Sequence, residues 1–184
     1  MKKAEKTRRK IQKTFLNLSL KRDQMPNVSE ICSEMDIYRS TFYNYYSNIE
    51  ELIHSVGEDF TKFLDEIFAN IDIYRDHTKK TGKEFDFAEV LTPLVPVVEK
   101  NMDQFAFFLN PIWNSRYREY MMKKVYHTAL GIFPAETVEN RYIAEFISAG
   151  TVQYLYAHVI NKEKIDVAEF RKVWSRVSLL VTSS

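Results

Sequence analysis

The chain carries one cysteine, Cys32, in 184 residues. A disulfide framework within the chain and a multi-cysteine metal site are thereby excluded. Glycine numbers 4 and proline 5, too few for a protein built from turns. That scarcity predicts long helices joined by few loops. No apolar run approaches the roughly 18 residues needed to span a membrane. The N-terminus is basic but has no apolar segment behind it, so it does not read as a secretory signal. His54, His77, His127 and His158 form no close pair at helical spacing, and HExxH and glycine-rich phosphate loops are both missing. These absences leave no catalytic group, no metal site and no cofactor to expect, and they point to a cytoplasmic protein. A helical enzyme has no residues here to support it.

What is present is an ordinary globular composition, 45% hydrophobic and 28% charged, with enough length to bury a core without staples. The net charge of +1 hides an asymmetry. Between Met1 and Arg22, nine Lys and Arg residues face Glu5 alone, a local charge of +8 that leaves about −7 for the remainder. A basic end on a near-neutral chain favours a polyanion partner. On charge alone a solvated, frayed terminus is the better reading.

Periodicity turns the charge into a pattern. Ile11, Phe15 and Leu18 follow Ala4 and Thr7 at three- and four-residue steps, giving a first helix with an apolar face and a basic outer face. Pro26 and Asn27 end it. "NVSE" reads as a capping box, Asn27 capping and Glu30 three residues on. A second helix follows with Val28, Ile31 and Met35 inward. "DIY" interrupts it, and a third helix runs from about Tyr38 to Tyr45. "SNIE", Ser47 to Glu50, reads as a second capping box. It opens a long helix reaching about Tyr74, with Leu52, Ile53, Val56, Phe60, Phe63, Leu64, Ile67 and Ile71 inward. "RDHTKKTGKEFD" reads as a polar loop. The stretch from Phe85 to Leu130 is helical and aromatic, broken at Pro93, Pro96 and Pro111. After "GIFPAET", two last helices occupy about 135–160 and 167–182. No alternating strand pattern occurs, so the expected class is all-α. The expected domains are a helix-turn-helix head over 1–50 and a larger helical domain over 51–184.

Helices two and three make a helix-turn-helix, in which the third helix enters the DNA major groove and the second crosses the backbone. Val28, Ile31, Ile37 and Phe42 face inward and fix the angle between them. Arg39, Ser40, Tyr43 and Asn44 project from helix three. Arg39 has the donors for a guanine edge and Asn44 the amide for adenine. Both can instead bind phosphate, as half or more of such contacts do, and for Asn44 the phosphate reading is preferred.

From Thr7 to Val56 the chain resembles the N-terminal domain of the TetR/AcrR transcriptional regulators. "TRRKIQKTFLNL" is similar to that family's first helix, and "VSEICSEMDIYRSTFYNYYSNIEEL" to its second helix, turn and recognition helix. "RSTFYNYY", with "EEL" soon after, is the most specific part. The resemblance implies that Tyr38, Arg39, Ser40 and Thr41 contact bases and phosphates. It implies that Tyr43 gives its hydroxyl to a phosphate, that Tyr45 lies near the backbone, and that Phe42 is buried. Asn27 matches the threonine that caps helix two beside a phosphate. Two positions depart from the pattern. Asp36 replaces the usual turn glycine and must adopt a left-handed conformation. Ile49 replaces the usual phosphate-binding lysine, which removes a backbone contact and should flatten the salt dependence of binding. Arg8 or Arg9 on the basic first helix is the candidate replacement.

Reading two half-sites on a palindromic operator needs two heads, hence a homodimer. Phe170, Val173, Trp174, Val177, Leu180 and Val181 form one stripe at helical spacing; Tyr142, Phe146, Ala149, Gly150, Gln153 and Ala157 form another. The resemblance implies that the two C-terminal helices pair across a dimer. Phe146, Gly150, Tyr154, Val173, Trp174 and Val177 are the interface candidates. The middle of the chain concentrates Phe85, Phe87, Phe105, Phe107, Phe108, Trp113, Tyr117, Tyr120, Met121, Met122 and Tyr126. Of these, Phe105, Phe108, Trp113, Tyr117, Met121 and Tyr126 are candidates to line a pocket for a small apolar or aromatic effector. Core packing is the competing reading for each. The expected function is a ligand-responsive repressor. The alternative is a helical adaptor of the same fold that acts through a protein partner.

Overall fold

A computed structural model of the chain describes residues 3–22, 24–82, 92–112 and 114–182. The side chains of Lys3, Pro93, Phe170, Trp174 and residues 177–182 fall outside the description, as do Phe85, Phe87 and Trp113 altogether. Among the described residues every regular element is helical: α1 (Lys3–Arg22), α2 (Val28–Met35), α3 (Arg39–Tyr43), α4 (Ile49–Thr81), a 3-10 turn (Thr92–Leu94), α5 (Val95–Lys100), α6 (Met102–Phe108), α7 (Ser115–Leu130), α8 (Val138–Asn161) and α9 (Val167–Thr182). The fold is all-α. No described helix is long and apolar enough to cross a membrane.

The chain divides into two compact units, Met1–Lys62 and Phe63–Ser184, with the division inside α4. In the first unit, Ile11, Phe15, Leu16 and Leu18 of α1 are buried together with Ile31, Cys32 and Met35 of α2, Phe42 of α3, and Leu52, Val56 and Phe60 of α4. Tyr46, in the link between α3 and α4, is also buried. In the second unit, α7 and α8 form a helical hairpin over a core that includes Phe105, Phe107, Phe108, Val125, Ala129, Ala144, Ile147 and Val152.

Several element boundaries differ from the sequence reading, each for a local reason. α3 spans Arg39–Tyr43, with Tyr38 as its N-cap and Asn44 as its C-cap. Tyr45 N–H bonds back to Phe42 O at 2.9 Å, which tightens the chain into a turn there. The second capping box is displaced by one residue. Asn48 caps α4 by accepting from Glu51 N–H at 2.8 Å, and the Glu51 carboxylate reaches back to Ser47 N–H at 2.6 Å and to the Ser47 hydroxyl. The helix begins at Ile49, so only Asn48 lies in reach of its third residue. At its other end α4 continues through "RDHTKKT" to Thr81. Arg75 pairs with Asp72 and Asp76 on the same helix, and the buried Thr78 donates to Arg75 O at 2.7 Å. Gly82, at φ 67°, then ends it in the left-handed conformation that glycine takes without a Cβ clash. Pro96 is not a break. It sits in the first turn of α5, where its missing N–H would have no partner anyway.

Candidate nucleic-acid interface

The head's geometry starts from its caps. Asn27 Oδ1 accepts from Glu30 N–H at 3.1 Å, and Glu30 Oε2 accepts from Asn27 N–H at 2.8 Å. This reciprocal pair fixes where α2 begins. Arg22, at the end of α1, binds the same Glu30 carboxylate at 2.5 Å. α2 ends at Asp36, whose φ of 52° and ψ of 51° are left-handed. Its N–H and that of Ile37 return to the carbonyls of Cys32 and Ser33, closing the turn without glycine.

That turn delivers α3 with its N-terminal end in solvent. Tyr38 is 84% exposed and Tyr43 53% exposed. Arg39, Ser40 and Asn44 are exposed, and Thr41 and Tyr45 are half-buried. Phe42 is buried beneath them, and its ring meets Tyr43 edge-on at 5.7 Å between centroids. Tyr38 at the N-cap of α3 and Tyr43 at its last residue thus present their rings and hydroxyls to solvent. Asn27 is exposed too, although its side-chain oxygen is occupied by the cap.

Charge on this surface is sparse. Arg39 is the single Lys or Arg between residues 27 and 48. Its Nη2 donates to the Ser29 hydroxyl on α2. Ser29 was not singled out from the sequence, because nothing in its spacing couples it to a residue on the next helix. Cys32 lies under the same helix pair, and burial raises its thiol pKa above the usual range despite the nearby Arg39 charge. A buried protonated thiol is a packing group, not a nucleophile.

Arg8, the candidate phosphate contact on α1, is exposed and also bonded within the head. Its Nε donates to Tyr46 Oη at 3.2 Å and its Nη2 to Ser55 Oγ at 2.6 Å. Gln12 donates to the same Ser55 and to Asp59. Arg8 therefore links α1 to α4 and to the buried Tyr46, and the hydroxyl of Tyr46 is the largest cause of the rise in its pKa. Arg9 pairs with Glu5 on its own helix at 2.7 Å. Ile49 is half-buried at the first position of α4.

In the larger unit, Phe105 and Met121 line an apolar cavity of about 30 Å³ together with Leu64, Ile67, Phe68, Leu94, Val95, Val98, Thr151 and Leu155. The Thr151 hydroxyl is satisfied by Ile147 O at 2.7 Å, so it offers the cavity no free donor. A volume of that size holds about one water, whereas drug-sized ligands need roughly 300 Å³ or more. Trp113 lies outside the described residues, and the other three candidates do not line this cavity. Phe108 and Tyr117 pack against each other at 4.7 Å, and Tyr126 meets His127 at 5.3 Å. The cavity is walled largely by aliphatic residues of α4, α5 and α8 that the aromatic count did not single out.

Of the interface candidates, Phe146 is 77% exposed and Val173 49% exposed. Gly150 is exposed with open space around its Cα, and Tyr154 is half-buried against His158. Tyr142, 68% exposed, and Ala149 share the outward face of α8. The opposite face of that helix, Ala144, Ile147, Ser148, Thr151, Val152, Leu155 and Val159, is buried in the chain's own core. Trp174 and Val177 lie outside the described side chains.

No protein-family model matches the sequence, and no curated protein matches it. Among solved structures, the fold is similar to that of a protein described as the dihydroxyacetone kinase operon activator DhaS. The TM-score is 0.52 at 18% identity, covering 96% of this chain and 94% of that one. A likeness at that identity is one of fold.

Proposed function

We propose that the chain is a DNA-binding transcription regulator that works as a homodimer on a palindromic operator. One observation carries the reading. The α2–turn–α3 unit leaves Tyr38, Arg39, Ser40, Tyr43 and Asn44 in solvent on one short helix whose buried side is fixed by Phe42. Small side chains at Ser40 and Thr41 let such a helix sit close to base edges, and tyrosine hydroxyls suit phosphate oxygens. The fold shared with an operon activator supports the same general role. Asn27, Thr41 and Tyr45 complete the proposed contact set. The basic outer face of α1 supplies the long-range attraction.

Dimerisation through α8 and α9 is supported by the outward Tyr142, Phe146, Ala149 and Gly150 face, where the small residues permit close helix approach. Phe146→Glu is expected to give monomers in light scattering; an unchanged dimer would rule that face out. We further propose repression with release by a small apolar or aromatic effector in the cavity at Phe105 and Met121. At about 30 Å³ the cavity must expand to admit one, and that expansion is what would change the fit of two heads to two half-sites. Each lost or mismatched contact would cost roughly 1–3 kcal/mol.

Gel shifts against DNA flanking the coding region, at low and moderate salt, test the reading. Sequence-specific retardation is the expected result. A second reading has specific support: Ile49 offers no charge where a phosphate contact is expected, and Arg8 is engaged within the head. A regulator that acts chiefly through a protein partner would give no specific shift at any salt.

A further inference from the structure

We infer that Ser29 is a positioning residue for base recognition: its hydroxyl holds the Arg39 guanidinium as a preset fork for a guanine edge. The inference rests on the DNA-binding role proposed above and assigns the part of that surface which would read sequence.

Arg39 is the first residue of α3 and Ser29 the second residue of α2. They belong to different helices, and the Nη2–H···Oγ bond crosses the gap between them. A guanidinium has five N–H donors in one plane, and this bond engages one. A guanine edge requires two more, on adjacent nitrogens, for O6 and N7. The tether leaves that pair available. It also restricts the side chain before DNA arrives, so less rotamer freedom is lost on docking.

The chemistry of the tether matters as much as its position. Ser29 is neutral, so Arg39 keeps its full charge toward the duplex. A carboxylate in the same place would hold the guanidinium more tightly and repel the phosphates. Glu30, next to Ser29, is withdrawn from that role because Arg22 and the Asn27 N–H occupy its oxygens. The Ser29 hydroxyl accepts from Arg39 and keeps its own proton. Ser29 itself is half-buried at the start of α2, where the rigid capping box fixes its backbone.

The test uses the full-length chain, an operator duplex found in the flanking DNA, and a panel of duplexes altered one base pair at a time, all at one salt concentration. Ser29→Ala is expected to weaken operator binding about three- to tenfold, the range of one hydrogen bond, and to leave binding to random duplex unchanged. It should flatten the preference at the same base pair that Arg39→Ala flattens. The double variant should bind no more weakly than Arg39→Ala alone, and Ser29→Thr should restore binding. Equal losses on operator and random duplex, or fully additive losses in the double variant, would overturn the tether and make Ser29 an independent phosphate contact. A lower melting temperature that accounts for the loss, unrescued by Ser29→Thr, would overturn it as well. Operator binding by the unaltered chain with Ser29→Ala unaffected overturns the tether alone. No specific binding by the unaltered chain removes the DNA-reading role and the tether together. In the free protein, the Arg39 side-chain N–H resonances should move on Ser29→Ala; static resonances would show that the bond does not form.

Discussion

In the smaller unit, polar side chains close caps and fasten neighbouring helices: Asn27 with Glu30, Asn48 with Glu51, Arg8 with Tyr46 and Ser55. In the larger unit, polar side chains fasten α4 to α7 at long sequence separation. Tyr120 and Lys124 both reach Asp65, at 2.6 and 2.5 Å, and Thr128 reaches Asp72 at 3.2 Å. Both units bury aromatic rings, Phe15, Phe42 and Tyr46 in the head and Phe105, Phe107 and Phe108 in the larger unit, and both expose some: Tyr38 and Tyr43 in the head, Tyr142 and Phe146 in the larger unit. The comparison separates two kinds of design. The head presents its chemistry on a surface made by residues close together in sequence. The larger unit's apolar cavity is lined by residues far apart in sequence, from Leu64 to Leu155, which meet only on folding.

Truncating one buried ring in each unit is expected to have the largest effect and to show whether the two units unfold separately. Phe42 and Phe105 are both almost fully buried, and removal of such a ring costs about 3–5 kcal/mol. Phe42→Ala should raise amide hydrogen exchange through 28–46 and abolish DNA retardation, while α7 and α8 stay protected. Phe105→Ala should do the reverse and enlarge the apolar cavity. If either variant deprotects both units alike, the two do not act as separate cooperative bodies.

The head was legible in the sequence because its determinants are local. Asn27 and Glu30 are three residues apart, and the turn at Asp36 follows from the few conformations that can close α2 onto α3. The all-α class was legible from the 3.6-residue periodicity and the shortage of glycine. What escaped was contact between side chains distant in the chain. Ser29 bonding to Arg39, Arg8 bonding to Ser55, and Leu64 and Leu155 lining one cavity leave no trace in spacing. Aromatic density pointed to the middle of the chain, but Phe108 and Tyr117 are turned toward each other, while aliphatic residues line the space. The Asn48 cap was missed by one residue because Ser47 and Asn48 are both good N-caps.

Arg8 offers a finer distinction between surface and scaffold. As a link among α1, Tyr46 and Ser55, it should contribute about 1 kcal/mol, since its bonds go to neutral hydroxyls and it is partly exposed to water. Arg8→Ala is therefore expected to lower the midpoint of chemical denaturation of the head. The slope of log affinity against log salt should not change. A slope smaller by about one would instead identify a phosphate contact at Arg8.

The tie at Asp65 is its counterpart in the larger unit. The Lys124 ammonium first, and the Tyr120 hydroxyl second, hold the Asp65 carboxylate below its ordinary pKa. A carboxylate lowered on folding adds stability above its unfolded pKa of about 4 and loses it as pH falls through the folded value. With the carboxylate 49% exposed, solvent screening limits the effect to a few tenths of a kcal/mol. Thermal melts at pH 7 and pH 3 should show a slightly smaller acid destabilisation for Asp65→Asn than for the unaltered chain. Identical acid losses in both would mean that the tie adds nothing to stability.

The last expected effect is a small gain, and it returns to the turn of the head. Asp36 holds φ 52° with a Cβ in place, a conformation that L-residues disfavour by roughly 1–2 kcal/mol, with Asp and Asn among the least penalised. Glycine removes that penalty but enlarges the conformational freedom of the unfolded chain, which offsets part of the gain. Asp36→Gly should therefore stabilise the head by about 0.5 kcal/mol, read as a rise in its denaturation midpoint. Removing an acidic side chain beside α3 should also strengthen binding to any duplex at low salt. A fall in stability would mean that the Asp36 side chain supports the turn through a contact worth more than its strain. The aspartate would then be a chosen cap, not a tolerated substitute for glycine.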